Sequence, residues 1–246
     1  MKILILDTAD EVARAVGQRV SKALAARPSL VLGLPTGRTP IATYAELRRR
    51  HRRGAADFSH AATFNLDEFA GVAPAHPGSF RAFMEQHLFS AVNLAPERIH
   101  FLDGAARDLD AECDRYEGEI AAAGGLGLQL LGIGGNGHIG FNEPGPELAA
   151  RTHRVTLADS TRRDNAALFG GELAQVPREA LSMGMGTILK SRAIVLIATG
   201  ARKARCVELA VNGPITTRLP ASFLQLHRDV ALYLDRGAAA LLAHSS

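Results

Sequence analysis

The residues best suited to chemistry cluster in Asn136-Gly137-His138-Ile139-Gly140-Phe141-Asn142-Glu143-Pro144, which follows the apolar run Gly127-Leu128-Gln129-Leu130-Leu131. Five glycines, Gly132, Gly134, Gly135, Gly137 and Gly140, bracket one histidine, and a carboxylate follows five residues later. Glycine costs conformational entropy, so such a cluster at a strand end implies sharply bent backbone or close approach to a ligand. Imidazole titrates near neutral pH, and with Glu143 folded back on it His138 is suited to proton transfer. A glycine-rich turn whose histidine serves only its own loop is the other reading of the same residues.

Two further loops carry candidate chemistry. In Gly33-Leu34-Pro35-Thr36-Gly37-Arg38-Thr39-Pro40, an apolar run enters a glycine-bearing turn. Thr39 is suited to cap a helix and Pro40 to occupy its first position. Free backbone N–H groups and a helix dipole would converge there on an anion, with hydroxyls from Thr36 and Thr39 and charge from Arg38. A phosphate on a small molecule fits; the lysine of a Walker loop is missing. The other loop, Thr63-Phe64-Asn65-Leu66-Asp67-Glu68, ends a predicted strand in adjacent carboxylates, of which alternation turns one toward the site. Burial beside a phosphate would raise that acid from a carboxylate's usual range toward that of a working base.

Together the three loops suit proton transfers on a phosphorylated small molecule. An acid/base would open or close a ring, and a base would take a carbon-bound proton beside a carbonyl or imine. Asp67, Glu68, His138 and Glu143 also suggest a metal site, but a catalytic zinc usually takes more than one histidine, so no metal is expected.

The elements that must position these loops follow from hydrophobic patterning. Residues 2–6, 30–34, 61–66, 99–102, 128–133, 193–198 and 230–234 read as strands; 9–26, 41–50, 80–89, 108–122 and 202–211 read as helices. Continuous apolar strands alternating with helices predict an α/β fold, a three-layer α/β/α sandwich on a mostly parallel, Rossmann-like sheet. Such a sheet brings strand ends to one rim, where ligands bind. Residues 1–246 read as one domain, with 147–177 polar, irregular and suited either to a lid or to a surface excursion.

Composition narrows the function classes. A hydrophobic fraction of 47% supplies a core. No run approaches the ~20 apolar residues of a membrane span, and the first residues lack a signal-peptide layout. Cys113 and Cys206 read as buried thiols, and a cytoplasmic location follows. The dense run Arg48-Arg49-Arg50-His51-Arg52-Arg53 reads as the solvated end of a helix. With no Trp and three Tyr to interleave such charge, no nucleic-acid partner is expected.

These motifs closely resemble the glucosamine-6-phosphate deaminase family. The resemblance rests on Gly33-Leu34-Pro35-Thr36-Gly37, Thr63-Phe64-Asn65-Leu66-Asp67-Glu68 and Asn136 through Pro144. It continues through Asp110-Ala111-Glu112-Cys113, Val176-Pro177, Gly184-Met185-Gly186-Thr187, Gly200 to Lys203 and Leu224-Gln225-Leu226-His227. The related 6-phosphogluconolactonases share a glycine-rich histidine loop but not its Phe-Asn-Glu-Pro continuation. The resemblance implies deamination coupled to aldose–ketose isomerisation of an amino sugar phosphate, without metal or organic cofactor. It implies that His138 opens the sugar ring with Asn136 and Glu143 completing its relay. It also implies that Asp67 moves the C2 proton, and that Thr36, Gly37, Arg38, Thr39 and Lys203 hold the phosphate.

Three departures stand out. Asn136 replaces the aspartate of many members, which removes a negative charge beside His138. A phosphate-gripping arginine of the family aligns near Ala167, so Arg38, Arg162 or Arg163 must compensate, or the preferred substrate is another amino sugar phosphate such as galactosamine 6-phosphate. The basic pair of allosteric members falls at His153 and Val155, so a monomer or small homo-oligomer without activation by N-acetylglucosamine 6-phosphate is expected. A lactonase and a non-catalytic sugar-phosphate binder are the remaining alternatives.

Overall fold

The computed structural model describes residues 1–242. Its strands are β1 (Lys2–Leu6), β2 (Val31–Leu34), β3 (Ala62–Asn65), β4 (Asp67–Phe69), β5 (Ile99–His100), β6 (Leu128–Gly132), β7 (His153–Thr156), β8 (Glu179–Ser182), β9 (Ile194–Ala198) and β10 (Val230–Asp235). Its α-helices are α1 (Ala9–Ala26), α2 (Arg38–Arg52), α3 (Phe80–His87), α4 (Leu109–Ala122), α5 (Asp159–Asn165), α6 (Met185–Leu189) and α7 (Ala204–Asn212).

Seven strands form a sheet in the order β1-β10-β9-β6-β2-β3-β5, and every pairing in it is parallel. β9 shows why the apolar runs were continuous: all five of its residues are buried, because both faces are covered. On one face Val12, Val16, Val20 and Leu24 of α1 recur at helical spacing and pack with Tyr44 and Leu47 of α2 and Phe83 and Met84 of α3. On the other, Cys113, Tyr116 and Ile120 of α4 pack with Ile188 of α6 and Val207 and Ala210 of α7. This is the expected α/β/α sandwich. Both cysteines are free and buried, and no helix among the described residues is long and apolar enough to cross a membrane.

Strand order fixes where a ligand can enter. From β2 the chain moves outward through β3 and β5; from β6 it moves the other way through β9 and β10. The direction reverses between the carboxyl ends of β2 and β6, and crevices in open parallel sheets form at such a reversal. The phosphate-type loop leaves β2 and the histidine loop leaves β6, so both flank this point.

The structure adds what the patterning did not suggest. β4, β8 and β7 form a second, antiparallel sheet. Asp67 and Glu68 therefore do not end the third strand: the chain leaves the first sheet at Asn65 and enters the second at Asp67. Segment 147–177 is not irregular, since it holds β7, α5 and two 3₁₀ turns, Ala166–Phe169 and Leu173–Gln175. It is anchored by Leu157, Phe169 and Val176, which pack with Phe69, Phe80 and Phe141. The Phe69 ring meets those of Phe80, Phe141 and Phe169 at 4.7, 5.4 and 5.1 Å, contacts each contributing about 0.5–1.5 kcal/mol beyond burial.

Candidate active site

The β2–α2 turn is built on Gly37, whose φ of 97° suits glycine, and α2 begins at Arg38 without a side-chain cap. The helix thus starts two residues earlier than the Thr39 cap expected from sequence. Pro40 is tolerated at its third position because the first-turn N–H groups have no helical partner. Tyr44, buried in α2, donates its hydroxyl to the Pro35 carbonyl and ties the turn to the helix. Thr36 and Thr39 are partly exposed and Arg38 exposed.

Lys203 ends a short 3₁₀ turn after β9. Asp235 at the end of β10 accepts the Gly200 N–H at 3.0 and 2.9 Å and braces that turn. Burial lowers the Lys203 pKa; Arg202 and Arg38 push it the same way, while Cys206 and Asp164 oppose them. Arg38 is therefore near enough to repel Lys203, and an anion between them would relieve that repulsion. The other two candidate arginines differ. Arg162 is buried and spent on Asp159 and the carbonyls of Leu173 and Val176, so it cannot replace the missing cation. Arg163 is exposed on α5, and Ala167 is exposed in the following 3₁₀ turn.

Adjacent in sequence, Asp67 and Glu68 have unlike tasks. Glu68 accepts the N–H groups of Phe69, Phe80 and Arg81, each at 2.9 Å, and so closes the amino end of α3 beside its Ser79 cap. That commitment removes it from any shared metal site; no three His, Cys, Asp or Glu side chains among the described residues gather as a metal-binding group. Asp67 is 6% exposed and its Oδ1 has no hydrogen-bond partner among the described residues. Burial, with Glu68 adding repulsion, pushes its pKa up to about 8. A carboxyl kept this basic is a competent proton acceptor near neutral pH, unlike a solvated aspartate.

The histidine loop is pinned from beneath by the second sheet. Ser182 Oγ accepts the Phe141 N–H at 3.0 Å, and the Asn142 amide donates to the Ile139 and Met183 carbonyls, both at 2.8 Å. A methyl on Gly140 would lie 3.1 Å from Ser182 Oγ and 3.5 Å from Asp67 Oδ2. Asp67 thus abuts the loop two residues beyond His138, so the two sequence-distant motifs meet. His138 Nδ1 lies 3.5 Å from Glu143 Oε2 and has no hydrogen-bond partner among the described residues. Burial alone would raise Glu143, but His138, Thr161 and Asn136 outweigh it and bring its pKa down to about 2. The pair is an ionised carboxylate facing an imidazole.

Asn136 does not meet the His138 ring, as sequence adjacency suggested. Its Oδ1 accepts the His138 backbone N–H at 3.2 Å and its amide donates to Glu143 Oε2 at 2.9 Å. It closes the turn and holds the carboxylate. Thr161 of α5, unmarked in the sequence, donates its hydroxyl to Glu143 Oε1; no local pattern signals a contact made 18 residues away. A separate surface depression of about 820 Å³, lined by residues such as Arg107, Asp110, Arg154 and Arg178, includes no member of this set.

Comparison with known proteins sharpens what this arrangement is similar to. Residues 6–233 match the family described as glucosamine-6-phosphate isomerases/6-phosphogluconolactonase. The chain is 45% identical over 247 residues to glucosamine-6-phosphate deaminase 2 of Bacillus subtilis, covering 100% of this chain and 99% of that protein. A solved monomeric glucosamine-6-phosphate deaminase superposes with a TM-score of 0.95 at 42% identity, over 98% of this chain and 100% of its own. The 6-phosphogluconolactonase of Trypanosoma brucei reaches 0.77 at 20% identity over 98% of each chain, a likeness of fold.

Proposed function

The chain belongs to the glucosamine-6-phosphate isomerase and 6-phosphogluconolactonase family, and we propose that it is a deaminase of that family. It converts glucosamine 6-phosphate and water to fructose 6-phosphate and ammonia. The observation that carries this reading is the basic, unpartnered Asp67 carboxyl set against the loop that holds the His138–Glu143 pair. Lactone hydrolysis has no need of a base poised for a carbon-bound proton, and a simple binder has no need of a base beside an acid.

The phosphate sits at the Thr36–Thr39 turn, between Arg38 and Lys203. His138 takes the proton of the C1 hydroxyl and passes it to the ring oxygen as the C1–ring oxygen bond breaks, and Glu143 stabilises the imidazolium that forms between the two transfers. Asp67 removes the C2 proton of the open-chain aldehyde while the aldehyde oxygen takes a proton from solvent, giving an enolamine; Asp67 then returns its proton to C1, leaving a protonated ketimine at C2. Water adds to that carbon, ammonia departs, and the ketose remains. The monomeric state of the 42%-identical neighbour supports a monomer here.

Incubation with glucosamine 6-phosphate should release ammonia and fructose 6-phosphate in equal amounts. The galactosamine form should react more slowly, and 6-phosphogluconolactone should not be hydrolysed. Ligand-induced thermal stabilisation without ammonia would overturn the deaminase in favour of the binder.

The base sets the pH response. Asp67 must be ionised to accept a proton, and its value is about 8. Hence kcat/KM, which reports the free enzyme, is expected to climb about tenfold per unit below pH 8 and level off above it. A profile flat from pH 6 to 9 would remove Asp67 from the role.

Asn136→Asp tests the contact that holds Glu143. It would set a second carboxylate where the amide now meets Glu143 Oε2 at 2.9 Å. Like charges so close cannot both ionise freely, so the Glu143 pKa rises by on the order of 2 units or more. An NMR titration of the Glu143 carboxyl should show that rise, although the change copies the commoner family residue, while the limb near pH 8 set by Asp67 stays in place. An unmoved Glu143 titration would contradict the hydrogen bond.

A further inference from the structure

Glu143 is held by donors from two separate parts of the chain. Asn136, in its own loop, holds Oε2; Thr161, in α5, holds Oε1. The backbone near Glu143 is fixed, through Asn142 to the Ile139 and Met183 carbonyls and through Gly145, whose N–H donates to the Thr217 carbonyl at 3.2 Å. The side chain beyond it still has three rotatable bonds. With Oε2 alone engaged, the carboxylate can turn about its last bond and leave His138; a second donor on Oε1 stops that rotation.

Thr161 is built to supply this second donor. It is 3% exposed. A helical threonine commonly turns its hydroxyl back to a preceding carbonyl, yet here, among the described residues, the hydroxyl donates to Glu143 alone. Its own carbonyl accepts the Asn165 amide at 2.9 Å. The next residue, Arg162, fastens α5 to the Leu173 and Val176 carbonyls at 2.8 and 3.1 Å. The turn after α5 places Phe169 against Phe69, two residues from Asp67. α5 is thus anchored by Arg162 and Phe169, and the Thr161 hydroxyl reaches from it to the carboxylate.

We propose that Thr161 is a positioning residue that fixes the Glu143 carboxylate toward His138, so that α5 forms part of the ring-opening machinery. The proposal rests on the deaminase reading. It assigns to 147–177 a chemical task that holds whether or not the segment moves.

The test compares Thr161→Val, which keeps the branched shape and removes the donor, with Thr161→Ser, which keeps the donor and removes a methyl. Valine should lower kcat about tenfold, with KM within about threefold, because an interaction aligned for the chemical step is lost while phosphate binding is untouched. Its Glu143 carboxyl should titrate at higher pH by NMR, since the lost hydrogen bond is one of those holding that pKa down, while the rate limb near pH 8 set by Asp67 stays in place. Serine should keep kcat within about threefold of the wild type. In a Glu143→Gln background the valine change should cost little, because it acts through that residue. Valine at wild-type kcat, serine losing as much as valine, or full additivity with Glu143→Gln would each overturn the proposal. Should valine fail to fold, serine and the Glu143→Gln cycle built on Thr161→Ala decide in the same terms. A wild type releasing no ammonia from glucosamine 6-phosphate overturns the deaminase reading itself; an active wild type with an indifferent Thr161 overturns the positioning role alone.

Discussion

Asp67→Asn is expected to lower kcat about 10³-fold while leaving the affinity for a non-reacting sugar phosphate within about twofold. The amide has the carboxyl's shape but no useful basicity, and the phosphate-binding groups lie on other loops, after β2 and β9. A second signature separates this from general damage. Asp67 is raised from 3.8 to about 8 in the folded chain, whereas in the unfolded chain it returns to the ordinary range. Folding therefore favours its protonated form: the stability this contributes is fully present below about pH 4 and is lost as pH rises through about 8. An amide cannot ionise. The variant should gain on the wild type by up to about 1.4 kcal/mol per pH unit between those limits, and by nothing at pH 4. Urea unfolding of both proteins at pH 4, 6 and 8 reads that slope, and ammonia release reads the rate. Turnover within tenfold of the wild type, or parallel stability curves, would dismiss Asp67 as the buried base.

The first sheet was legible because its strands are buried on both faces and carry long apolar runs: β1 coincides with its expected span, and β9 differs by one residue. The second sheet was not. β7 reads His153-Arg154-Val155-Thr156, alternately half-buried and exposed, and β4 is three residues of which two are acids. Short strands with charged residues carry too little periodicity to stand out. The consequence fell on the site. The sequence puts Asp67 at a strand end, but its basicity depends on β4 turning it inward against Gly140 while Glu68 turns to α3.

Partners within the site were harder to foresee than its members. Asparagine two residues before a histidine suggests a contact with the ring, yet asparagine in a turn commonly bonds the backbone two residues on, and Asn136 does so. Thr161 sits in a run that attracts notice for its arginines, and the more conspicuous Arg162 proves structural. Charge made Arg162 visible in the sequence; tertiary packing gave the working contact to the neutral residue beside it.

Gly134→Ala offers the sharpest test of how His138 is aimed, because its neighbour supplies the control. A methyl at Gly134 would overlap Cε1, Nε2 and Nδ1 of the His138 ring, whereas one at Gly135 would meet nothing within 4 Å. Neither residue has a positive φ, so backbone conformation admits alanine at both. The ring lies flat over the backbone only because position 134 has no side chain, and that stacking brings Nδ1 to 3.5 Å from Glu143. Alanine at 134 must swing the imidazole away, and displacement of about 1 Å at a reacting group costs on the order of 10²-fold in rate. Alanine at 135 should leave kcat within about twofold and stabilise the fold by about 0.4–1 kcal/mol through the less flexible unfolded chain. In the Gly134 variant the loss should fall on kcat, with KM nearly unchanged, because the phosphate loops are not touched. Equal costs at the two positions would mean that loop flexibility, and not the seat of the ring, governs the step.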